Sequence, residues 1–161
     1  MRTKAGDNER KFKTLFETNV PGTPLTGKQH YELSGIKISV DQSFEHEGKE
    51  FLVEIDSGNM AKLLVGQYVL VNQLRLLPKE AFFLVVHTYK EYNPMRTVNN
   101  LHLVNQKLYG GKGIPFGAVH INHLTKWSGE VPGLLAMLKV PDPSKESTFS
   151  GKPENTSHLK R

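Results

Sequence analysis

Apolar and polar positions alternate most regularly over residues 36–56 (IKISVDQSFEHEGKEFLVEID). Ile36, Ile38 and Val40 alternate with Lys37, Ser39 and Asp41, and Phe51, Val53 and Ile55 alternate with Glu50, Leu52, Glu54 and Asp56. A period of two over this length predicts a β-hairpin of half-buried strands. A turn at Glu47-Gly48 pairs residues whose numbers sum to 95, which sets Asp41 opposite Glu54. Opposed side chains in an antiparallel pair lie about 4.5–5.5 Å apart at Cβ, where like charges destabilise. Asp56 falls on the face of Glu54. Three carboxylates then converge on one sheet surface, a repulsive arrangement unless a cation sits among them. A hard divalent ion with oxygen ligands would relieve it. The other reading is a solvated sheet face that carries acids.

The remaining pattern surrounds this hairpin with helices and further strands. Residues 8–18 place Phe12, Leu15 and Phe16 on one helical face, with Asn8 as cap and Pro21-Gly22 as terminator. A turn-rich link leads to a short strand over residues 30–33. Residues 57–78 predict a helix that is apolar nearly all round, capped by Ser57 and closed by Pro78, hence buried or packed beneath a sheet. Residues 82–89 (FFLVVHTY) read as a central strand covered on both faces. A helix begins at Pro94 and ends at Gly110-Gly111, a strand follows over residues 114–121, and a short helix after Pro132. From Pro141 onward the chain is rich in Pro, Ser and Lys and predicts a disordered tail. The expectation is one mixed α/β domain over residues 1–140, with a tail over 141–161.

Charge and composition narrow the function classes. A formal charge of +5 over 161 residues favours a polyanionic partner. The absence of cysteine excludes disulfides, thiolate catalysis and cysteine-bound zinc. The N-terminus lacks the apolar core of a signal peptide and no apolar window is long enough to span a bilayer, so the expected location is cytoplasmic, with no membrane partner. The motif HINH at His120 and His123, together with His87, lacks the spacing of a zinc site, and GGKGIPFG lacks the Walker pattern. No nucleophile-elbow pattern is present. Tyr89, Tyr92, Tyr109 and Trp127 lie near basic residues, as base stacking would require, but side chains of this kind are more often half-buried.

A strand ending in Asp41, a turn, Glu54-Ile55-Asp56 closing the next strand and a long helix after it resemble the core of the PD-(D/E)XK nuclease superfamily. The resemblance covers residues 8–125 by element order, and its motif comprises three residues. It implies a restriction-endonuclease-like α/β fold with a central β-hairpin followed by a buried helix. It also implies Mg²⁺, or Mn²⁺ in its place, bound by Asp41, Glu54 and Asp56, and hydrolysis of DNA phosphodiester bonds. The family places a lysine where this chain has Asp56; some members carry an acid there, and in others the lysine has moved to the neighbouring helix, where Lys62 stands. Gln67 lies on the helix where some branches carry a functional glutamine. The implied catalytic set is Asp41, Glu54, Asp56, Lys62 and Gln67. Lys90, Arg96, Lys107 and Lys112 are candidates for contacts to the DNA backbone. A homodimer, or a partner protein that supplies targeting, would complete such an enzyme. The alternative is a non-catalytic nucleic-acid-binding or accessory protein with a degenerate nuclease fold, and a third reading is a small domain that binds another protein.

Overall fold

The computed structural model describes residues 4–150. Four strands form a mixed sheet in the order β3-β4-β5-β6, where β3 is Gln42–His46, β4 Lys49–Asp56, β5 Ala81–His87 and β6 Phe116–His120. The β3–β4 pair is antiparallel, and β4, β5 and β6 run parallel. Helix α1 (Asp7–Asn19) and helix α4 (Glu130–Met137) contribute to the core on one face, through Phe12, Phe16, Val131 and Leu134 packed with Phe51, Val53, Leu84 and Val86. On the opposite face α2 (Ala61–Leu74) and α3 (Pro94–Tyr109) pack Leu64, Tyr68, Val71, Val98 and Leu101 against Leu52, Phe83, Val85 and Ala118. Both faces of the sheet are thus covered, as parallel crossovers require. No helix among the described residues is long and apolar enough to cross a membrane.

The central hairpin keeps its predicted turn and register but loses its predicted first strand. Glu47 and Gly48 have φ of 50° and 75°, a two-residue turn that suits the twist of a hairpin. Gln42 pairs with Val53 and His46 with Lys49, so paired numbers do sum to 95. Ile36–Val40, however, is a separate strand β2, which pairs with β1 (Gln29–Leu33) in a second, two-stranded sheet. The chain bends at Asp41. Val40 and Phe44 share parity in the sequence, yet Val40 joins the α2–α3 core and Phe44 the α1 core. A continuous strand could not send them to opposite faces. The bend absorbs the reversal, and apolar alternation alone does not reveal it.

Other boundaries shift for local reasons. Helix α1 starts after Gly6 rather than at an Asn8 cap. Helix α2 starts after Met60, with no side-chain cap from Ser57. It ends at Leu74, because Arg75 leaves the helical path to bond Glu50 and the Lys79 carbonyl, three residues before Pro78. Its outer side is not buried: Met60 and Leu63 are exposed, as are Leu76 and Leu77 beyond its end. Helix α3 follows the expected signals, with Asn93 accepting from the Met95 N–H, Pro94 in the first turn and Gly110 left-handed at the end. Pro132 lies inside α4 rather than before it. In the segment read as a disordered tail, Pro143–Ser150 forms 3₁₀ turns, and Phe149 meets the His102 ring edge-on. Residues 151–161 lie outside the described residues.

Candidate functional site

The parallel strands end together. Asp56 is the register partner of His87, and His87 of His120, so three polar side chains close adjacent strands at one level of the carboxyl edge. Glu54 and Asp56 share their face with Leu52, the side packed by α2 and α3. Asp41 reaches the same edge from the bend that precedes β3. The β3–β4 ladder stops at Gln42 and Val53, and the Asp41 carboxylate takes over just beyond it by accepting the Ile55 N–H at 2.8 Å. Asp41 thus acts as a side-chain continuation of β3, beside Glu54.

Glu54 is held by a neutral partner. The Gln67 amide donates to the Glu54 carboxylate at 3.1 Å and to the Ser39 carbonyl at 2.6 Å, tying α2 to both β4 and β2. Burial raises the Glu54 carboxyl, and Asp41 and Asp56 raise it further, to about 8; the Gln67 amide and the Asp41 backbone N–H only partly oppose this. Burial also raises Asp41, with Glu9 and Asp56 adding to the rise, while the Ile55 N–H and Lys28 pull it down. Burial and the two neighbouring carboxylates thus favour the protonated form of Glu54, and no basic side chain is among the groups that set this.

Sequence pattern does not single out Glu9 or Lys28. Glu9 lies in the first turn of α1 and Lys28 in the link before β1, and their proximity to Asp41 comes from chain crossing that no local pattern encodes. A cleft of about 330 Å³ is lined by Lys4, Asn8, Glu9, Ile55 and Ser57 among others, and Asp41, Glu54 and Asp56 are not part of its lining.

The other predicted residues separate into groups. Asp56 turns to His87, with 3.2 Å between Oδ2 and Nδ1. Lys62 is exposed and lines a cleft of about 460 Å³ with Asn59 and Arg96, between the N-termini of α2 and α3. Arg96 donates to Asn59 at 2.9 Å and lies over the Tyr92 ring. Lys90, in the turn after β5, belongs to this carboxyl edge as well. Lys107 and Lys112 do not. They follow Arg96 by three turns of helix or more, roughly 16 Å along α3, and Lys112 lines a different cleft with Lys49, Arg75 and Lys79. The proposed stacking aromatics also divide: Tyr92 and Trp127 are buried and Tyr89 is exposed.

Among the described residues, no group of three or more His, Cys, Asp or Glu side chains is placed to hold a metal ion, so Asp41, Glu54 and Asp56 do not form the three-carboxylate set expected from the sequence. Gln67 draws Glu54 one way, His87 draws Asp56 another, and the Ile55 N–H fixes Asp41. The available donors are hard carboxylate oxygens without sulfur, a set that suits Mg²⁺ or Mn²⁺ rather than softer metals. The chain matches no family model, no curated protein and no solved structure, and what it does is read from its own residues.

Proposed function

We propose that the chain is a metal-dependent endonuclease of restriction-endonuclease-like fold that hydrolyses DNA phosphodiester bonds. The observation that carries this reading is the pair Asp41 and Glu54: two partly buried carboxylates from adjacent chain segments, on an open sheet edge, with no cation to balance Glu54. Asp41 and Glu54 would hold Mg²⁺ or Mn²⁺. Such an ion polarises a phosphate and makes a bound water acidic near neutral pH. Gln67 restrains Glu54 and the Ile55 N–H restrains Asp41. Arg96 and Lys90 stand where a nucleic-acid backbone would approach that edge, and contacts of this kind set affinity rather than sequence preference. The positive charge of the chain supports a polyanionic substrate. Cleavage of both strands would call for two copies, or for a partner that presents the DNA.

One observation favours the non-catalytic alternative. Where the resembled family has a lysine this chain has Asp56, and Lys62 is exposed and not among the groups acting on Asp41 or Glu54. The deciding experiment is cleavage of supercoiled plasmid and of branched DNA, with Mg²⁺ and with EDTA, by the natural chain, Asp41→Ala and Glu54→Ala. Metal-dependent nicking that both substitutions abolish is the expected result. Intact DNA that is nonetheless retarded in a gel would transfer the reading to a binding protein.

A further inference from the structure

Behind Asp56 runs a buried chain of hydrogen bonds that metal binding by Asp41 and Glu54 does not require. His87 Nδ1 lies 3.2 Å from Asp56 Oδ2, His87 Nε2 lies 2.9 Å from Thr97 Oγ1, and Thr97 Oγ1 lies 2.9 Å from the Tyr92 hydroxyl. The Tyr92 ring stacks on the imidazole with centroids 4.0 Å apart. The His87 side chain is fully buried, whereas Asp56 remains 17% exposed.

Donor and acceptor chemistry gives this chain a direction. With the ring proton on Nδ1, that N–H donates to the Asp56 carboxylate. In the neutral ring Nε2 then accepts from the Thr97 hydroxyl, and Thr97 accepts from Tyr92. Both ring nitrogens of His87 have a partner, Asp56 on β4 at one and Thr97 on α3 at the other. Among the described residues, the second carboxylate oxygen, Oδ1, has only the Gly58 N–H, at 3.4 Å. One oxygen of Asp56 is therefore tethered and the other has one long contact, on a residue near enough to act on both Glu54 and Asp41.

We propose that His87 is the positioning residue of this site, holding Asp56 by Oδ2 so that Oδ1 serves the attacking water instead of ligating a metal ion. The proposal rests on the nuclease reading above. In the step itself the water oxygen bonds to phosphorus, its proton passes to Asp56 Oδ1 and one phosphorus–oxygen ester bond breaks. The departing oxygen takes a proton from solvent, and Asp56 later returns its own. His87 touches neither water nor phosphate; it keeps Asp56 in place, as outer partners of reactive carboxylates do.

Two isosteric substitutions separate positioning from packing. In His87→Asn the amide N–H stands where Nδ1–H stood and keeps the bond to Asp56. In His87→Gln the amide carbonyl stands near Nε2 and accepts from the Thr97 hydroxyl, so Thr97 is kept and Asp56 is released. Plasmid cleavage with Mg²⁺ is expected to show kcat about 10- to 100-fold lower in His87→Gln and in Asp56→Asn, with KM little changed and clearly less loss in His87→Asn. Calorimetric titration with Mn²⁺ is expected to show weaker binding in Glu54→Gln and unchanged binding in Asp56→Asn and His87→Gln. Equal loss of kcat in the two His87 variants would reduce the residue to packing, and a tenfold loss of Mn²⁺ affinity in Asp56→Asn would make Asp56 a ligand; either overturns the proposal. A natural chain that binds Mn²⁺ but cleaves nothing overturns the nuclease reading itself. The Mn²⁺ titrations then decide whether Asp56 is kept away from the ion.

Discussion

Strand β4 carries acids at both ends, and the fold treats them in opposite ways. At its amino end Glu50 receives two hydrogen bonds from Arg75, at 2.7 and 3.2 Å, with the Arg75 side chain almost wholly buried. Glu45, across the hairpin, is paired with Lys79. Four residues further along, Glu54 has a neutral amide, and burial first, then Asp41 and Asp56, raise its pKa rather than lower it. A carboxylate that serves the architecture is given its own cation. Glu54, with none among the groups that shift it, is buried beside two further carboxylates, and a proton or an ion from solution would relieve that load. The difference between these ends, rather than the presence of acids, is what singles out the carboxyl edge as the candidate site.

The sharpest way to break this comparison is to remove the structural cation. Arg75→Ala leaves Glu50 partly buried and unpaired and is expected to destabilise the fold by about 3–5 kcal/mol in chemical denaturation. A loss below about 1 kcal/mol would mean that the amino-end pair is as dispensable as a surface contact.

The pH dependence of stability tests the other end. Glu54 binds its proton more tightly in the folded chain, at about 8 against an ordinary 4.5. Its contribution is therefore fully present below 4.5, falls as pH rises, and is gone above the folded value. Metal-free protein is expected to lose on the order of a few kcal/mol between these limits. In Glu54→Gln that decline should largely disappear, whereas a variant that retains the full slope would place its origin elsewhere.

A divalent ion should reverse the same load. Mg²⁺ at about 100 times its dissociation constant stabilises by about 2.7 kcal/mol if it binds only the folded chain. Its apparent affinity is expected to rise with pH up to about 8, because the ion must displace the Glu54 proton. Thermal shifts measured with and without Mg²⁺ at pH 6 and 8 read this directly, and a larger shift at the lower pH would contradict it.

The smallest effect concerns the two groups of basic residues. Arg96→Ala and Lys90→Ala, at the carboxyl edge, should each lower the salt slope of DNA binding by about one unit, while Lys107→Ala should leave it nearly unchanged. Equal effects would extend the nucleic-acid surface along the whole of α3.

Much of this site is legible in the amino-acid sequence, and the reasons are local. Alternation locates β4 and its faces, the hairpin register carries Asp41 to Glu54, and the scarcity of polar residues in α2 draws attention to Gln67, which does reach Glu54. What escapes is any relation that depends on chain crossings. The separate pairing of Ile36–Val40 needs β1 as a partner, and Arg75 needs Glu50 from another element. In the sequence His87 is a lone histidine at a strand end; parallel register sets it beside Asp56, and α3 brings Thr97 behind it.

The amino-acid sequence by itself therefore determined the mixed α/β class, the hairpin turn and the parity that points Glu54 and Asp56 the same way. These depend on periodicity and turn chemistry between near neighbours. Tertiary structure alone decided which acids keep a cation and which do not. Desolvation and Coulomb interactions act through space at a few ångströms, and only the folded chain brings Glu9, Lys28, Arg75 and His87 within that range.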